Sequence, residues 1–295
     1  MTYLYNQIFN MEITPEHYGS NYHRYNISSD KTKFEQLIML TSDWHFDNPK
    51  TNRPLLFKHL DYCKERGGLI IINGDMLCLM QGKYDPRKNK SAILPEHNGD
   101  SYIDLVINDT AQKMLPYAHN ILQINKGNHE TGVSSRLESD ILQRLVERIN
   151  TLAGSRIQLG EYMGYLTLSF SRKSAHAKRL NIAYDHGHWG GVITKGALSV
   201  VRHSSIYPDA DVVISGHTHD GFIMNHPQLR MNEYKKKVEV KNQWHIKTGT
   251  YKEEFEGGKG WAVEKIGMPK YLGSCFMTVY YNEKESLEYN FTLTH

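Results

Sequence analysis

The sequence predicts an α/β fold whose strand-ending loops carry the chemistry. Three observations lead there. Short apolar runs recur, each emptying into a segment with Asp, Asn or His and usually Gly. Stretches with helical spacing of apolar residues separate some of them, and strands alternating with helices imply a parallel sheet whose polar loops gather beyond its carboxyl ends. The bulk numbers permit a folded chain with a sizeable core: 295 residues, 39% hydrophobic and 23% charged.

Residues 1–35 are rich in Tyr, Asn and Ser, and "HYGSNYHRYN" reads as irregular. They are expected to form an N-terminal extension packed on a single domain spanning 36–295. From there "LIML" runs into "TSDWHFD", and "RPLLFKHLDYCKER" reads as a helix stopped by Gly67-Gly68. "GLIII" leads to "NGDML" and "NILQI" to "NKGNHE". "SRLESDILQRLVERINTLAG" has helical spacing, a Ser135…Glu138 capping-box pair and a closing Gly154. "LNIAY" and "DVVI" then empty into "DHGHW" and "SGHTHD". In the last of these, Val212-Val213-Ile214 is a strand buried on both faces, and His217 and His219 face the same way if the chain stays extended. Beyond residue 240, "QWHIKTGTY", "CFMTVYYN" and "SLEYNFTLTH" read as β structure, the last two as an antiparallel pair. The five polar loops are thereby expected along one edge of one sheet.

Several function classes are excluded by composition. No run is long enough to cross a bilayer, and the N-terminal stretch has no basic residue ahead of its apolar positions, so neither a membrane protein nor a secreted one is expected. Three scattered cysteines, Cys63, Cys78 and Cys275, predict free thiols and a reducing, cytoplasmic location. A net charge of +3 does not by itself announce a nucleic-acid binder.

The candidates for chemistry are Asp43, His45, Asp75, Asn128, His129, His186, His188, His217 and His219. Carboxylate, amide oxygen and imidazole together are donors for Mn, Fe, Zn or Ni. They are too many for one closed tetrahedral zinc, and suit two divalent ions sharing a carboxylate, the arrangement that serves phosphoryl hydrolysis. Two such ions less two carboxylates leave about +2, which attracts a phosphate anion.

"SDWH", "NGD", "GNHE", "HGH" and "GHTH" stand in the order of the five motifs of calcineurin-like metallophosphoesterases, and from Ser42 to His219 the chain resembles that family. The resemblance implies a four-layer β-sandwich flanked by helices, with a dinuclear metal centre at the strand ends, manganese being the first expectation for both ions. It implies that Asp43, His45 and His219 hold the first metal, that Asp75 bridges, and that Asn128, His186 and His217 complete the second. His129 would contact the substrate and protonate the leaving oxygen, while a metal-bridging hydroxide attacks phosphorus in line.

Other readings stand beside these. Asp43 and Asp75 are also good helix N-caps, and Asn128 suits a left-handed turn. His188 supports a ligand or faces substrate; Asp47 orients a ligand imidazole or is a solvated carboxylate; Glu130 serves the turn. Phosphoprotein phosphatases of the superfamily carry an Asp where Cys78 stands, an Arg at Leu79 and an Arg at Lys126. This departure favours a phosphodiesterase or nuclease over a phosphomonoesterase or phosphoprotein phosphatase. A catalytically silent scaffold is disfavoured because every expected ligand position is filled. Substrate is expected to be a phosphate ester, with nucleic acid or a nucleotide suggested by the basic stretches in Gln81–Tyr102, Ser171–Arg179 and Tyr234–Lys241, and by Trp189, Gly190 and Gly191 beside the site.

Overall fold

A computed structural model of the chain describes residues 11–31, 33–80, 93–172, 177–188, 197–255, 269–282 and 287–294. Trp189, Gly190 and Gly191, most of the 81–102 stretch and the middle of 171–179 lie outside them. The strands are β1 Met11–His17, β2 Tyr22–Ser29, β3 Lys33–Thr41, β4 Leu69–Asn73, β5 Ile121–Asn125, β6 Gln158–Gly160, β7 Met163–Arg172, β8 Lys178–Asp185, β9 Val212–Ser215, β10 Phe222–Asn232, β11 Lys237–Lys247, β12 Ser274–Asn282 and β13 Glu288–Thr294. The α-helices are α1 Arg53–Glu65, α2 Tyr102–Met114, α3 Asn128–Leu137, α4 Ile141–Ala153 and α5 Ala197–Ile206.

These strands form two sheets, in the orders β1-β2-β7-β8-β9-β11-β10 and β13-β12-β3-β4-β5-β6. Within them β3 to β6 run parallel, as do β8, β9 and β11. The expectation of five polar loops along one sheet is therefore corrected. Three follow β3, β4 and β5 in one sheet; two follow β8 and β9 in the other.

Side-chain alternation sets the layers. In β4, Ile70 and Ile72 join the core beneath α1, α2 and α4, whereas Leu69 and Ile71 join a core shared by both sheets. In β9, Val212 and Ile214 enter that shared core and Val213 packs outward with Tyr207 and Ala210. The result is four layers: helices, six-stranded sheet, seven-stranded sheet, and a smaller outer layer that includes Tyr207. The resemblance implied this architecture.

Two local expectations change. The stretch read as irregular is the β1–β2 hairpin, and β2 pairs parallel to β7. Its buried positions are His23, Tyr25, Ile27 and Ser29, so a true two-residue period is written mostly in polar letters. Gln123 and Leu122 of β5 meet two of them: Tyr25 Oη donates to the Leu122 carbonyl at 3.1 Å, and His23 Nδ1 lies 3.0 Å from Gln123 Oε1. The single long helix expected after "GNHE" is two. Glu138 adopts φ 51°, ending α3, and Asp140 caps α4 by accepting from the Gln143 N–H at 3.0 Å, so the Ser135…Glu138 pair is no capping box. Gly154 closes α4 at φ 65°, as its spacing predicts. Among the described residues no helix is long and apolar enough to cross a membrane, and all three cysteines are free and buried.

Candidate metal centre

Three of the strands that end at the site, β3, β4 and β9, pass into left-handed backbone within two residues. Asp43, His45, Asp75, His217 and His219 all adopt positive φ, between 46° and 69°. For non-glycine residues that conformation costs about 1–2 kcal/mol each, and it is held here by contacts from distant segments. The Asp43 N–H donates to the Gly74 carbonyl at 3.0 Å, and the Asp43 carbonyl accepts from Thr250 Oγ1 at 2.8 Å. The His45 N–H donates to the Asp75 carbonyl at 3.1 Å, and Thr51 Oγ1 donates to the His45 carbonyl at 2.7 Å. Gly127 and Gly216 are close-approach positions: a Cβ on Gly127 would strike Asp75, and one on Gly216 would strike Ser42 and Asp43.

The seven side chains expected as ligands come together. Ligand atoms of Asp43, His45 and His219 lie within 4.8 Å of one another, as do those of Asp75, His186 and His217. Asp43 Oδ2 is taken by the Ser42 hydroxyl and the His217 N–H, whereas Oδ1 has no hydrogen-bond donor and stands 3.3 Å from His219 Nε2 and 3.8 Å from His186 Nε2. Asp75 Oδ1 accepts the His129 N–H at 2.9 Å at the start of α3, and its Oδ2 lies 3.0 Å from His186 Nε2. Asn128 Oδ1 is 2.6 Å from His217 Nδ1. Asn128 is the first residue of α3, and the left-handed alternative for it does not hold.

Titration behaviour follows from burying these groups together. Burial opposes charge on Asp75 and Asp43, yet His186 overrides it in both, with help from His129 at Asp75 and His219 at Asp43. Both carboxyls are held below their usual range, Asp75 far below. Burial likewise opposes a proton on His186, but Asp75 and Asp43 raise it to about 10. His186 Nδ1 lies 2.9 Å from the Asn73 carbonyl, which fixes the ring so that Nε2 faces the two carboxylates. A positive charge is thus wanted where the carboxylates converge. Burial drives His45 well below its usual value, and burial with His186 lowers His217 to about 4, leaving neutral imidazoles suited to ligation. Two nitrogens bound to one ion at about 2.0–2.1 Å stand about 3.0–3.4 Å apart; His45 Nε2 and His219 Nε2 are 3.3 Å apart. The donor set fits divalent cations.

Around this centre, the structure gives four further residues their partners. Glu130 serves the turn, accepting N–H groups of Asp75, Leu77 and Gly127 at 3.2, 2.9 and 3.0 Å; burial and Asp75 push it up to about 8. Asp47 neither orients an imidazole nor lies in solvent. It accepts the Cys78 and Leu79 N–H groups at 2.5 and 2.9 Å and the Tyr102 hydroxyl at 2.8 Å. His129 Nδ1 is 2.5 Å from the Cys78 carbonyl, so a backbone oxygen orients this ring without the aspartate that the phosphatase pattern would supply. His188 is exposed and accepts from Arg202 Nη1 at 2.7 Å. Two contributors escaped the sequence reading. Asn73 is visible only as a polar end to an apolar run, and Lys270, which donates to the Thr218 carbonyl at 2.8 Å, has no local signal at all.

Two facing sheets with carboxylates and imidazoles converging from five strand ends form a candidate divalent-metal centre. A family model for calcineurin-like phosphoesterase matches residues 37–221, and the chain belongs to that family. The family supports phosphoester hydrolysis, and the two donor groups support divalent metal binding. No curated protein sequence matches the chain. Among solved structures it is similar to Vacuolar Protein Sorting 29 from Cryptosporidium parvum, at 11% identity and TM-score 0.40, covering 88% of this chain and 98% of that one. It is also similar to Vps29 of Entamoeba histolytica complexed with Zn2+, at 12% identity and TM-score 0.37, covering 88% and 99%. A conserved uncharacterized protein of Streptococcus pneumoniae, described as a predicted phosphoesterase, is 12% identical with TM-score 0.31 and the same coverage. At such scores these likenesses add nothing to the family match.

Proposed function

We propose that the chain is a dinuclear metal-dependent phosphoesterase that hydrolyses a phosphodiester, a nucleic acid or nucleotide being the preferred substrate class. The observation that carries this reading is the pairing of the two three-residue donor groups, with His129 Nε2 3.8 Å from Asp75 Oδ2 beside them. Asp43, His45 and His219 would hold one ion, Asn128, His186 and His217 the other, with Asp75 between. Bound there, two ions supply Lewis acidity, activating water and neutralising phosphate charge. The protein's own part is orientation and proton transfer. The Asn73 carbonyl holds the His186 ring, and the Cys78 carbonyl holds Nδ1 of His129, leaving Nε2 to carry the proton that passes to the leaving oxygen.

Charge at the rim supports a diester. Lys126 is paired with Asp140 and Glu161, Lys252 with Glu254, and Lys270 with Asp220, at 2.9–3.2 Å. Rim lysines neutralised in this way leave a singly charged diester better matched than a monoester dianion. The basic 234–241 stretch gives no local support: it is the turn and first half of β11, at the strand end remote from the site.

The test is turnover of bis(p-nitrophenyl) phosphate, p-nitrophenyl phosphate, DNA, RNA and cyclic nucleotides with added Mn2+. Diester hydrolysis is expected to dominate. Turnover of monoesters alone would reject the diester preference, and failure to take up any transition metal would leave only a scaffold.

A further inference from the structure

Cys78 stands outside the seven candidate ligands, yet its side chain shares their space. Ligand atoms of His45, Cys78 and His129 all lie within 4.8 Å of one another, and all three residues are buried. The backbone around the thiol is fixed on both sides: Asp47 binds its N–H and that of Leu79, and its carbonyl is bound to His129. Asn48 Nδ2 lies 3.3 Å from the sulfur. A second atom points to a ligand. Nδ1 of His45, a residue 1% exposed, has no hydrogen-bond partner among the described residues. Two imidazoles and a thiolate suit Zn2+, Cd2+ or Co2+, whereas Mn2+ prefers oxygen donors.

We propose that His45, Cys78 and His129 form a second seat for a thiophilic divalent cation, one that shares His45 with the Asp43–His45–His219 position. The inference deepens the phosphoesterase reading and rests on it for the role of His129. A cation in this seat withdraws His129 from the substrate, so the same chain is activated by Mn2+ and silenced by Cd2+ or excess Zn2+. On binding, the sulfur gives an electron pair to the cation and its proton leaves to solvent; nothing is oxidised or reduced.

Cobalt reports the sulfur directly. Metal-free protein titrated with Co2+ is expected to develop visible d–d bands together with a near-ultraviolet thiolate-to-cobalt charge-transfer band. That band is expected to vanish in Cys78→Ser and to persist in the double variant Cys63→Ala, Cys275→Ala, where Cys78 is the sole thiol. Visible bands without the charge-transfer band overturn the seat but leave the metal centre standing. No visible bands at all overturn both. A charge-transfer band that survives in Cys78→Ser places the sulfur elsewhere and also overturns the seat. Should Cys78→Ser fail to fold, cadmium NMR of the unmutated chain decides: a resonance in the sulfur-ligated range supports the seat, and one in the oxygen and nitrogen range overturns it. In Mn2+-loaded protein the Cd2+ concentration for half inhibition is expected to rise at least about tenfold in Cys78→Ser.

Discussion

Strand β11 ends in two different worlds. At its carboxyl end Gln243, His245, Ile246 and Lys247 are buried, and the adjoining Thr248 lies 2.7 Å from the Ser42 hydroxyl beside Asp43. Towards its amino end Val238 and Val240 face Met231 and Leu229 across the ladder with β10, and these four apolar side chains are 64–75% exposed. The same two-residue alternation runs through both ends. What differs is whether anything lies opposite. Near the site each group is met from several segments, so even costly backbone angles persist. At the far end Lys235 and Lys237 answer to a near neighbour, both pairing with Glu239. Pairing decides that β11 is a strand; packing decides how much each residue matters.

The contrast can be broken most severely at Asp75. Asp75→Asn keeps the shape and removes the charge placed between the two donor groups, so metal content should drop and diester hydrolysis should fall at least about 10³-fold. Retained activity at full metal content would refute the assignment. His129→Ala comes next: kcat should fall about 10²- to 10⁴-fold while bound metal, read by elemental analysis, stays unchanged. Equal loss of metal and rate would make His129 structural.

His245 tests the buried end of β11 through pH. Burial, then His203 and His226, lower it to about 4. Its unfolded value is near 6.5, so between those two the unfolded chain binds a proton that the folded chain refuses. Stability is therefore fully present above about pH 6.5 and declines as pH falls towards about 4, by at most about 2 kcal/mol once solvent screening is allowed for. Denaturant unfolding at pH 7 and pH 4.5 should show that loss, and His245→Gln should remove this share of it. The smallest effect belongs to the exposed end. Leu229→Ser should change stability by less than about 0.5 kcal/mol, and a thermal shift of many degrees would mean that this apolar face is covered in solution.

Much of the site was legible because its letters are local. Gly-Asp, Asn-His and His-x-His at the ends of apolar runs mark strand exits, and all seven candidate ligands with His129 meet in space as those motifs suggested. Less local features were not. Tyr25 and His23 hide a strand because their partners, Leu122 and Gln123, are about a hundred residues away. Asp47 reads as a helper of imidazoles or as a solvated carboxylate, but its partners include the backbone N–H groups at 78 and 79, which no spacing announces. Cys78 reads as a packing residue until His45 and His129 are seen beside it.

By itself, then, the sequence determined where strands stop and which donor atoms stand at their ends, since both depend on residues a few positions apart. Only the tertiary structure decided that the five loops come from two sheets, that five candidate ligand positions take left-handed backbone, and that a sulfur shares their space. Those outcomes depend on strand order and on contacts between distant segments, which alone can hold charged groups together out of water.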